Sequence, residues 1–180
     1  TENRLPGGLR LQVNADYTHF QAGNLLSGQS MPWPDAQRSV LVTQLSRPWR
    51  SRGVYLVPSV QLHARHYQLS APLATGERTA QVTVPTFSLD SGLVFEREVG
   101  LFGRDLMQTL EPRAYYVYTP FRAQNQLPNY DSGANDFNFA TIFSNSTYGG
   151  QDRIADNNLL TLGLTSRLQD AGNGAELARV

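Results

Sequence analysis

Arginine is the side chain in this sequence that could most clearly bind a charged ligand. Every basic residue is an arginine, and lysine is absent. Guanidinium groups bind phosphate and carboxylate groups in a fixed, bidentate geometry. Charged residues and histidines recur on one side of several segments that read as extended chain. They could bind a phosphorylated ligand, or they could pair with one another to stay solvated, as Glu111 and Arg113 could across neighbouring strands. These candidate residues are Arg10, Asp16, His63, Arg65, Asp90, Glu111, Arg113 and Arg167.

The histidines and the aspartates offer little other chemistry. His19, His63 and His66 lie in segments that read as strands, without a Gly-x-Ser-x-Gly or helical metal-binding motif nearby. His63 and a serine could imitate a lipid hydrolase, but no residue is identified as the third member. A calcium site is conceivable in the aspartate-rich region 131–156, yet the spacing lacks an EF-hand pattern, and turn or capping roles are favoured. The sequence therefore predicts no catalytic residue, no metal and no cofactor.

The elements that position these residues read as long β-strands. Residues 104–120, RDLMQTLEPRAYYVYTP, alternate with a period of two. One face is mostly apolar and ends in tyrosines, while the other carries Thr109, Glu111 and Arg113. Because proline lacks a ladder donor, we expect a bulge or broken pairing at Pro112. Similar alternation predicts further strands over residues 9–20, 38–47, 54–69, 81–97, 157–168 and 175–180.

The connections between these strands alternate in length. Outer-membrane barrels have short turns on the periplasmic side and longer loops outside. The pattern therefore predicts an all-β, antiparallel up-and-down meander that is a segment of a large outer-membrane β-barrel. Residues 1–180 are expected to form one partial barrel domain of about six to seven strands, cut from something larger. The connections are long over 21–37, short over 48–53, medium over 70–80, short over 98–103, long over 121–156 and short over 169–174.

Composition narrows the classes of partner. The formal net charge is zero, which argues against nucleic acid, because phosphate neutralisation needs a basic surplus. Charged residues make up 17% of the chain, which is low against the roughly 25% of soluble domains. Cysteine is absent, so neither disulfides nor thiolate metal sites are available.

Three segments resemble the LptD family of lipopolysaccharide-assembly proteins. They are VPTFSLDSGLVFERE (84–98), TLEPRAYYVYTPFRAQNQLPNYDS (109–132) and STYGGQDRIADNNLLTLGLTSRL (146–168). The resemblance implies the middle of a C-terminal barrel that inserts lipopolysaccharide into the outer leaflet of the Gram-negative outer membrane. It also implies an LptE-type lipoprotein plug inside the barrel and a periplasmic lipopolysaccharide-transport bridge reached through an N-terminal domain.

The resemblance gives the candidate residues specific expectations. The charged row would line a polar lumen that guides the phosphorylated sugar head of lipopolysaccharide. The long polar loop is expected to fold over or into the barrel mouth and to touch the plug, because loops longer than about 12–15 residues are usually functional or disordered. Its candidate contact residues are Tyr130, Asp131, Tyr148, Gly150, Asp152 and Arg153.

Two alternatives remain open from the residues alone. The chain could be a soluble lipid-binding barrel or interaction module, or an outer-membrane lipid hydrolase. The direction of the apolar rows separates the first from a transporter, since they would point into a pocket rather than out to lipid. Aromatic residues near strand ends could form interfacial girdles or reflect strand propensity. They are Trp33, Trp49, Tyr55, Tyr115, Tyr116, Tyr118 and Phe121.

Overall fold

The structure, a computed structural model, describes residues 2–21, 33–101, 103–136, 138 and 141–180. These residues form one antiparallel sheet of ten strands. Much of the loop predicted over 21–37 lies outside the described residues. The strands are β1 Glu2–Arg4, β2 Arg10–Phe20, β3 Ala36–Ser46, β4 Trp49–Ser51, β5 Val54–Leu69, β6 Thr79–Leu93, β7 Phe95–Leu101, β8 Arg104–Thr119, β9 Asn157–Asp170 and β10 Glu176–Arg179.

The strands follow one another in chain order, which confirms the predicted up-and-down meander. The order is β1-β2-β3-β5-β6-β8-β9-β10, with β4 beside β5 and β7 beside β8. Each pair is antiparallel. The only helix among the described residues is a 3₁₀ turn at Pro6–Gly8, and no helix there is long and apolar enough to cross a membrane.

Prolines split two of the long strands without changing their register. Pairing between β6 and β8 stops at Gly92 with Arg113, and pairing between β7 and β8 resumes at Phe95 with Leu110. The interruption lies opposite Pro112, where the broken pairing was predicted. β3 and β4 are separated in the same way at Pro48. These two splits, together with β1, account for ten strands where the sequence pattern predicts six or seven.

The alternation of connection lengths is also present in the structure. Residues 52–53 alone connect β4 to β5, and β8 begins at Arg104, shortly after β7 ends at Leu101. Gly53 and Gly103 adopt the positive φ that tight hairpin turns require. The predicted turns over 48–53 and 98–103 are therefore shorter than expected, since β4 and β7 extend into them. We call this end of the sheet the turn side and the opposite end, which carries residues 70–78 and 120–156, the loop side.

The two faces of the sheet differ sharply in chemistry. We define the inner face as the one covered by residues 120–156 and the outer face as its opposite. On the outer face, Leu162 is 70% exposed, Phe87 45% and Leu110 41%. On the inner face, Arg38 and Arg65 are only 3% and 2% exposed. This is the reverse of a water-soluble sheet, in which large apolar side chains are buried and charged ones face solvent.

Candidate functional site

The long loop, residues 120–156, is docked on the inner face and is the centre of the candidate site. Side chains of β3, β5, β8 and β9 hold it at several separate points. Contacts join Arg65 to the backbone of Gln151, Tyr115 to Asn145, and Thr161 to the carbonyl of Ile142. The loop therefore lies over the polar inner face of the sheet.

A buried carboxylate, Asp152, is the strongest of these attachments. Its side chain has 0% exposure. Oδ1 accepts hydrogen bonds from Arg38 Nη1 at 2.7 Å and from the Tyr67 hydroxyl at 2.5 Å. Oδ2 accepts from the backbone N–H of Tyr130 at 2.6 Å and of Asp131 at 3.0 Å. One carboxylate thus ties two strands to two distant parts of the same loop, and we call these five residues the loop junction.

Arg38 supplies the positive charge of the loop junction. Besides Asp152, its Nη1 lies 2.7 Å from Asp131, and its Nη2 lies 3.6 Å from Asp16. The guanidinium carbon lies 4.9 Å from the ring centroid of Phe20, which stacks on Tyr130 with centroids 4.3 Å apart. A single buried cation is therefore surrounded by carboxylates and aromatic rings, as a buried charge requires.

Two ionisable groups of the loop have shifted pKa values. Burial alone would raise the pKa of Asp152, but the hydrogen bonds from Tyr67, Arg38 and the Tyr130 backbone outweigh it and hold the pKa below the ordinary 3.8. Burial, reinforced by the negative charge of Asp152, raises the pKa of Tyr130 to about 12. At neutral pH the Asp152 carboxylate is therefore ionised. The Tyr130 hydroxyl remains protonated and donates a hydrogen bond to the carbonyl of Pro34 at 2.7 Å.

A second buried arginine, Arg65, holds the loop through neutral oxygens. Its Nη1 donates to the Gln151 carbonyl at 2.9 Å and its Nη2 to Gln124 Oε1 at 2.6 Å. Gln124 in turn bonds both the N–H and the carbonyl of Ile154. Two residues away on β5, His63 is buried on the same face, and its Nε2 has no hydrogen-bond partner among the described residues.

An aromatic contact attaches the middle of the loop to β8 and β9. The ring of Phe143 packs edge-on against Tyr115 with centroids 6.4 Å apart, and the guanidinium carbon of Arg113 lies 4.2 Å from its centroid. A Cβ atom at Gly163 would lie 2.7 Å from Phe143 Cζ. A side chain at position 163 would therefore collide with the Phe143 ring, so glycine is needed there for the ring to pack against β9.

Two further ion pairs on the inner face join residues of neighbouring strands. Arg113 donates to both carboxylate oxygens of Asp90 at 2.9 and 2.8 Å, and Arg167 contacts Glu111 at 3.1 Å. Glu111 and Arg113 lie on the same strand and do not pair with each other; each instead pairs with a residue of a neighbouring strand. Arg10 lies in the inner row of β2 at the turn side and is half-buried.

The predicted loop residues fall into two groups. Tyr130, Asp131 and Asp152 belong to the loop junction, and Gly150 approaches the Asp131 carbonyl so closely that a side chain there would collide with it. Arg153 instead binds within the loop, where it donates to the Leu127 carbonyl at 2.8 Å. Tyr148 is exposed, and its backbone forms an isolated antiparallel β-bridge with Ala134. The sequence reasoning missed five residues that hold the loop, namely Arg38, Tyr67, Gln124, Phe143 and Asn145.

A family profile described as "LptD: LPS transport system D" matches residues 1–180. The chain belongs to the LptD family. It is 57% identical over 176 residues to the LPS-assembly protein LptD of Acidovorax sp. strain JS42. The aligned residues cover 98% of this chain and 21% of the relative. The corresponding protein of Polaromonas sp. strain JS666 is 57% identical over 173 residues, covering 96% of this chain and 21% of the relative. The chain therefore spans about a fifth of the length of these curated relatives.

The segment that carries Asp152 belongs to residues 146–168, one of the three stretches that resemble the LptD family. The sequence GQDRI, residues 150–154, places Asp152 between Gln151, whose carbonyl accepts from Arg65, and Arg153, which braces the loop internally. Three consecutive residues thus serve three different contacts. In this chain, the segment is a docking element for the loop.

Removing the Asp152 carboxylate is expected to detach the loop. Asp152→Ala leaves Arg38 and Tyr67 buried with lost partners, and breaking a buried ion pair in this way costs about 3–5 kcal/mol. The measurement is the free energy of unfolding in detergent, together with protease cleavage within residues 121–156. Asp156→Ala is the matched control, since Asp156 lies in the same loop but is exposed. Equal stability of the two variants would contradict a central role for Asp152.

Acid should release the same attachment. Because the pKa of Asp152 is lowered on folding, its contribution to stability is full above the ordinary value of 3.8 and is lost as pH falls through the lower folded value. Protease cleavage of the loop should therefore rise below about pH 4. In Asp152→Asn, which cannot ionise, this rise should be much smaller. An identical pH profile for both proteins would assign acid opening to other carboxylates.

Proposed function

We propose that this chain forms part of the wall and lumen of an outer-membrane translocon that inserts lipopolysaccharide into the outer leaflet, without a catalytic role. In this proposal the strands cross the membrane, the loop side faces the cell exterior and the turn side faces the periplasm. The observation that supports it best is the apolar outer face. It lies on the opposite side of the sheet from every charged residue of the loop junction.

The height of the apolar outer face suits a membrane. Its apolar rows run over residues 9–17, from the residue before β2 into that strand, over 56–64 in β5, 85–95 across β6 and β7, and 110–118 in β8. Such stretches match the roughly 9–11 residues with which a tilted strand crosses the hydrocarbon. Tyr116 and Tyr118 lie at the loop-side end of this band and Trp49 at the turn-side end, as expected of interfacial girdles. Tyr55 and Tyr115, by contrast, point to the inner face.

The inner face supports the proposed path for a polar, phosphorylated sugar head. Its candidate residues remain Arg10, Asp16, His63, Arg65, Asp90, Glu111, Arg113 and Arg167. Of these, Arg113 and Arg167 retain exposure of about a third of their side chains beside their carboxylate partners. Guanidinium groups held in this way present their remaining edge to a passing phosphate. His63 and Arg65 lie under the long loop and would become accessible only if the loop moved.

The long loop is the proposed contact for an LptE-type lipoprotein plug. Within it, Tyr148 is an exposed aromatic residue, whereas Tyr130, Asp131, Gly150, Asp152 and Arg153 hold the loop in shape. The plug contact would therefore depend on Tyr148 directly and on the others through loop geometry. Contact with a periplasmic lipopolysaccharide-transport bridge would be made by other parts of the full-length protein.

Two other functions have less support. A soluble lipid-binding barrel would direct its apolar rows into a pocket, whereas these rows are exposed on the face away from the loop. A hydrolase would need a nucleophile beside His63, yet its Nε2 has no hydrogen-bond partner among the described residues. The apolar outer face therefore favours a wall in lipid.

A charge placed in the middle of the outer face should disturb membrane insertion. Leu162 is flanked on β9 by the outward Leu160 and Leu164, so Leu162→Arg would place a guanidinium near the midplane, at a cost of about 2–4 kcal/mol. Gln68→Arg, in a polar row at the loop side, should cost about 0–1 kcal/mol. The measurement is the amount of folded full-length protein in outer-membrane fractions. Equal amounts of both variants would contradict a lipid-facing wall.

Exchanging the two charges of the Asp90–Arg113 pair distinguishes a structural role of this pair from a role in lipopolysaccharide transport. Asp90→Arg combined with Arg113→Asp keeps the pair but moves the guanidinium from β8 to β6. We expect the double variant to recover the folded level that Arg113→Asp alone loses, while lipopolysaccharide reaches the cell surface several-fold more slowly. Surface lipopolysaccharide is measured by accessibility to an outer-leaflet-modifying enzyme. Complete recovery of export would show that this pair is structural and would remove both residues from the path.

A further inference from the structure

A row of four polar side chains lies on the outer face at the loop side of β2, β3, β5 and β6, where the apolar band ends. The strand register pairs Tyr17 with Ser39, Ser39 with His66, and His66 with Gln81. By strand alternation all four lie on the outer face. We call them the polar row. None of their side chains makes a hydrogen bond or ion pair to another group in the described part of the chain.

Directly below the polar row, the outer face is hollow. The next cross-strand row consists of Ala15, Leu41, Ala64 and Thr83, in which three of the four side chains are small. A space of about 570 Å³ is bordered by members of both rows. Larger residues, including Leu62 and Phe87, continue the apolar band further toward the turn side. We call this second row and the space above it the trough.

A second space continues the trough toward the loop-side rim. It measures about 370 Å³ and shares His66 and Gln81 with the first. Its additional polar residues are Thr75, Glu77, Thr79 and Gln126. The combined hollow is therefore apolar and shallow within the band and increasingly polar beyond it. This gradient matches an amphiphile whose acyl chain lies in the trough and whose head lies at the polar row.

The chemistry of the polar row favours a sugar over a phosphate as that head. Hydroxyl, imidazole and amide groups can both donate and accept, as sugar hydroxyls require. Arg65 also borders the space, but its guanidinium is directed to the inner face, where it donates to Gln151 and Gln124. Glu77 at the rim would repel a phosphate. Phosphate sites instead use guanidinium groups directed at the ligand.

We propose that the polar row and the trough bind one acylated sugar, a glycolipid of the loop-side leaflet, on the lipid-facing surface of the wall. The proposal rests on the proposed function, since it requires the outer face to contact lipid with the loop side at the cell exterior. The polar row lies at the loop-side end of the apolar band, where its side chains have no hydrogen-bond partner in the described part of the chain. A sugar head at the boundary satisfies these groups, while Tyr17 provides an aromatic ring at the interface.

Photo-crosslinking in the full-length protein tests the proposal. A benzoylphenylalanine replaces Tyr17, which is 65% exposed, and a matched control replaces Tyr118, which is also on the outer face. Adducts formed in cells with deep-rough lipopolysaccharide are separated and probed for lipopolysaccharide and for phospholipid. We expect a lipopolysaccharide adduct at position 17 that is lost about tenfold when Ala64→Phe fills the trough or His66→Leu and Gln81→Leu remove two hydrogen bonds. The adduct at position 118 should not change.

The possible outcomes each decide the matter. Adducts at positions 17 and 118 that respond alike to these substitutions would show only general contact with bulk lipid and would overturn the proposal. A phospholipid adduct at position 17, or none, would also overturn it. Failure of the unsubstituted protein to enter the outer membrane would instead refute the proposed function. A second arm uses the purified protein in phosphatidylethanolamine nanodiscs with and without lipid A, where the same selective loss is expected.

Discussion

The enclosure of Arg38 and Asp152 beneath the long loop is the constraint on which the inner face depends. An ionised carboxylate and guanidinium are stable out of water only when each is paired with opposite charge and hydrogen-bonded, because an unpartnered buried charge costs several kcal/mol. Here the wall supplies Arg38 and Tyr67, and the loop supplies Asp152 and its own backbone N–H groups. Neither the wall nor the loop can satisfy these groups alone. Docking of the loop is therefore required by the charges that it covers.

The loop attachment also explains why the two faces of the sheet can be so different. Several charged residues on the inner face find partners in the loop or on neighbouring strands, as Arg38 does with Asp152 and Asp90 does with Arg113. The outer face has no such cover among the described residues, and its large side chains remain exposed. A sheet of this kind is stable where the solvent itself differs between the two sides. That requirement links the local alternation of side chains to the membrane setting we propose.

The sheet could be predicted from the sequence because its signals are local. Alternation fixes the faces, glycine marks the hairpin turns, and Pro112 marks a break in pairing that the structure contains. The loop junction could not be predicted in the same way. Arg38 and Asp152 are 114 residues apart, and Arg38 lies near the start of β3, where the sequence alternates less regularly than in the neighbouring strands. Composition shows that a polar loop exists, but only the three-dimensional arrangement shows which carboxylate is buried.

The two proline interruptions show how the wall tolerates residues that sheets usually exclude. The even-numbered residues of β8 direct their N–H groups toward β6 and β7, so Pro112 removes one donor from that side alone. Pairing with β9 continues through Pro112 and Leu164 without a change of register. Each proline therefore costs one local contact, and the alternation of faces survives across it. A bulge would have inverted every subsequent side chain, placing Ala114 inside and Arg113 in lipid. Preserved register is thus the condition under which charged and apolar rows remain on their own sides along the whole strand.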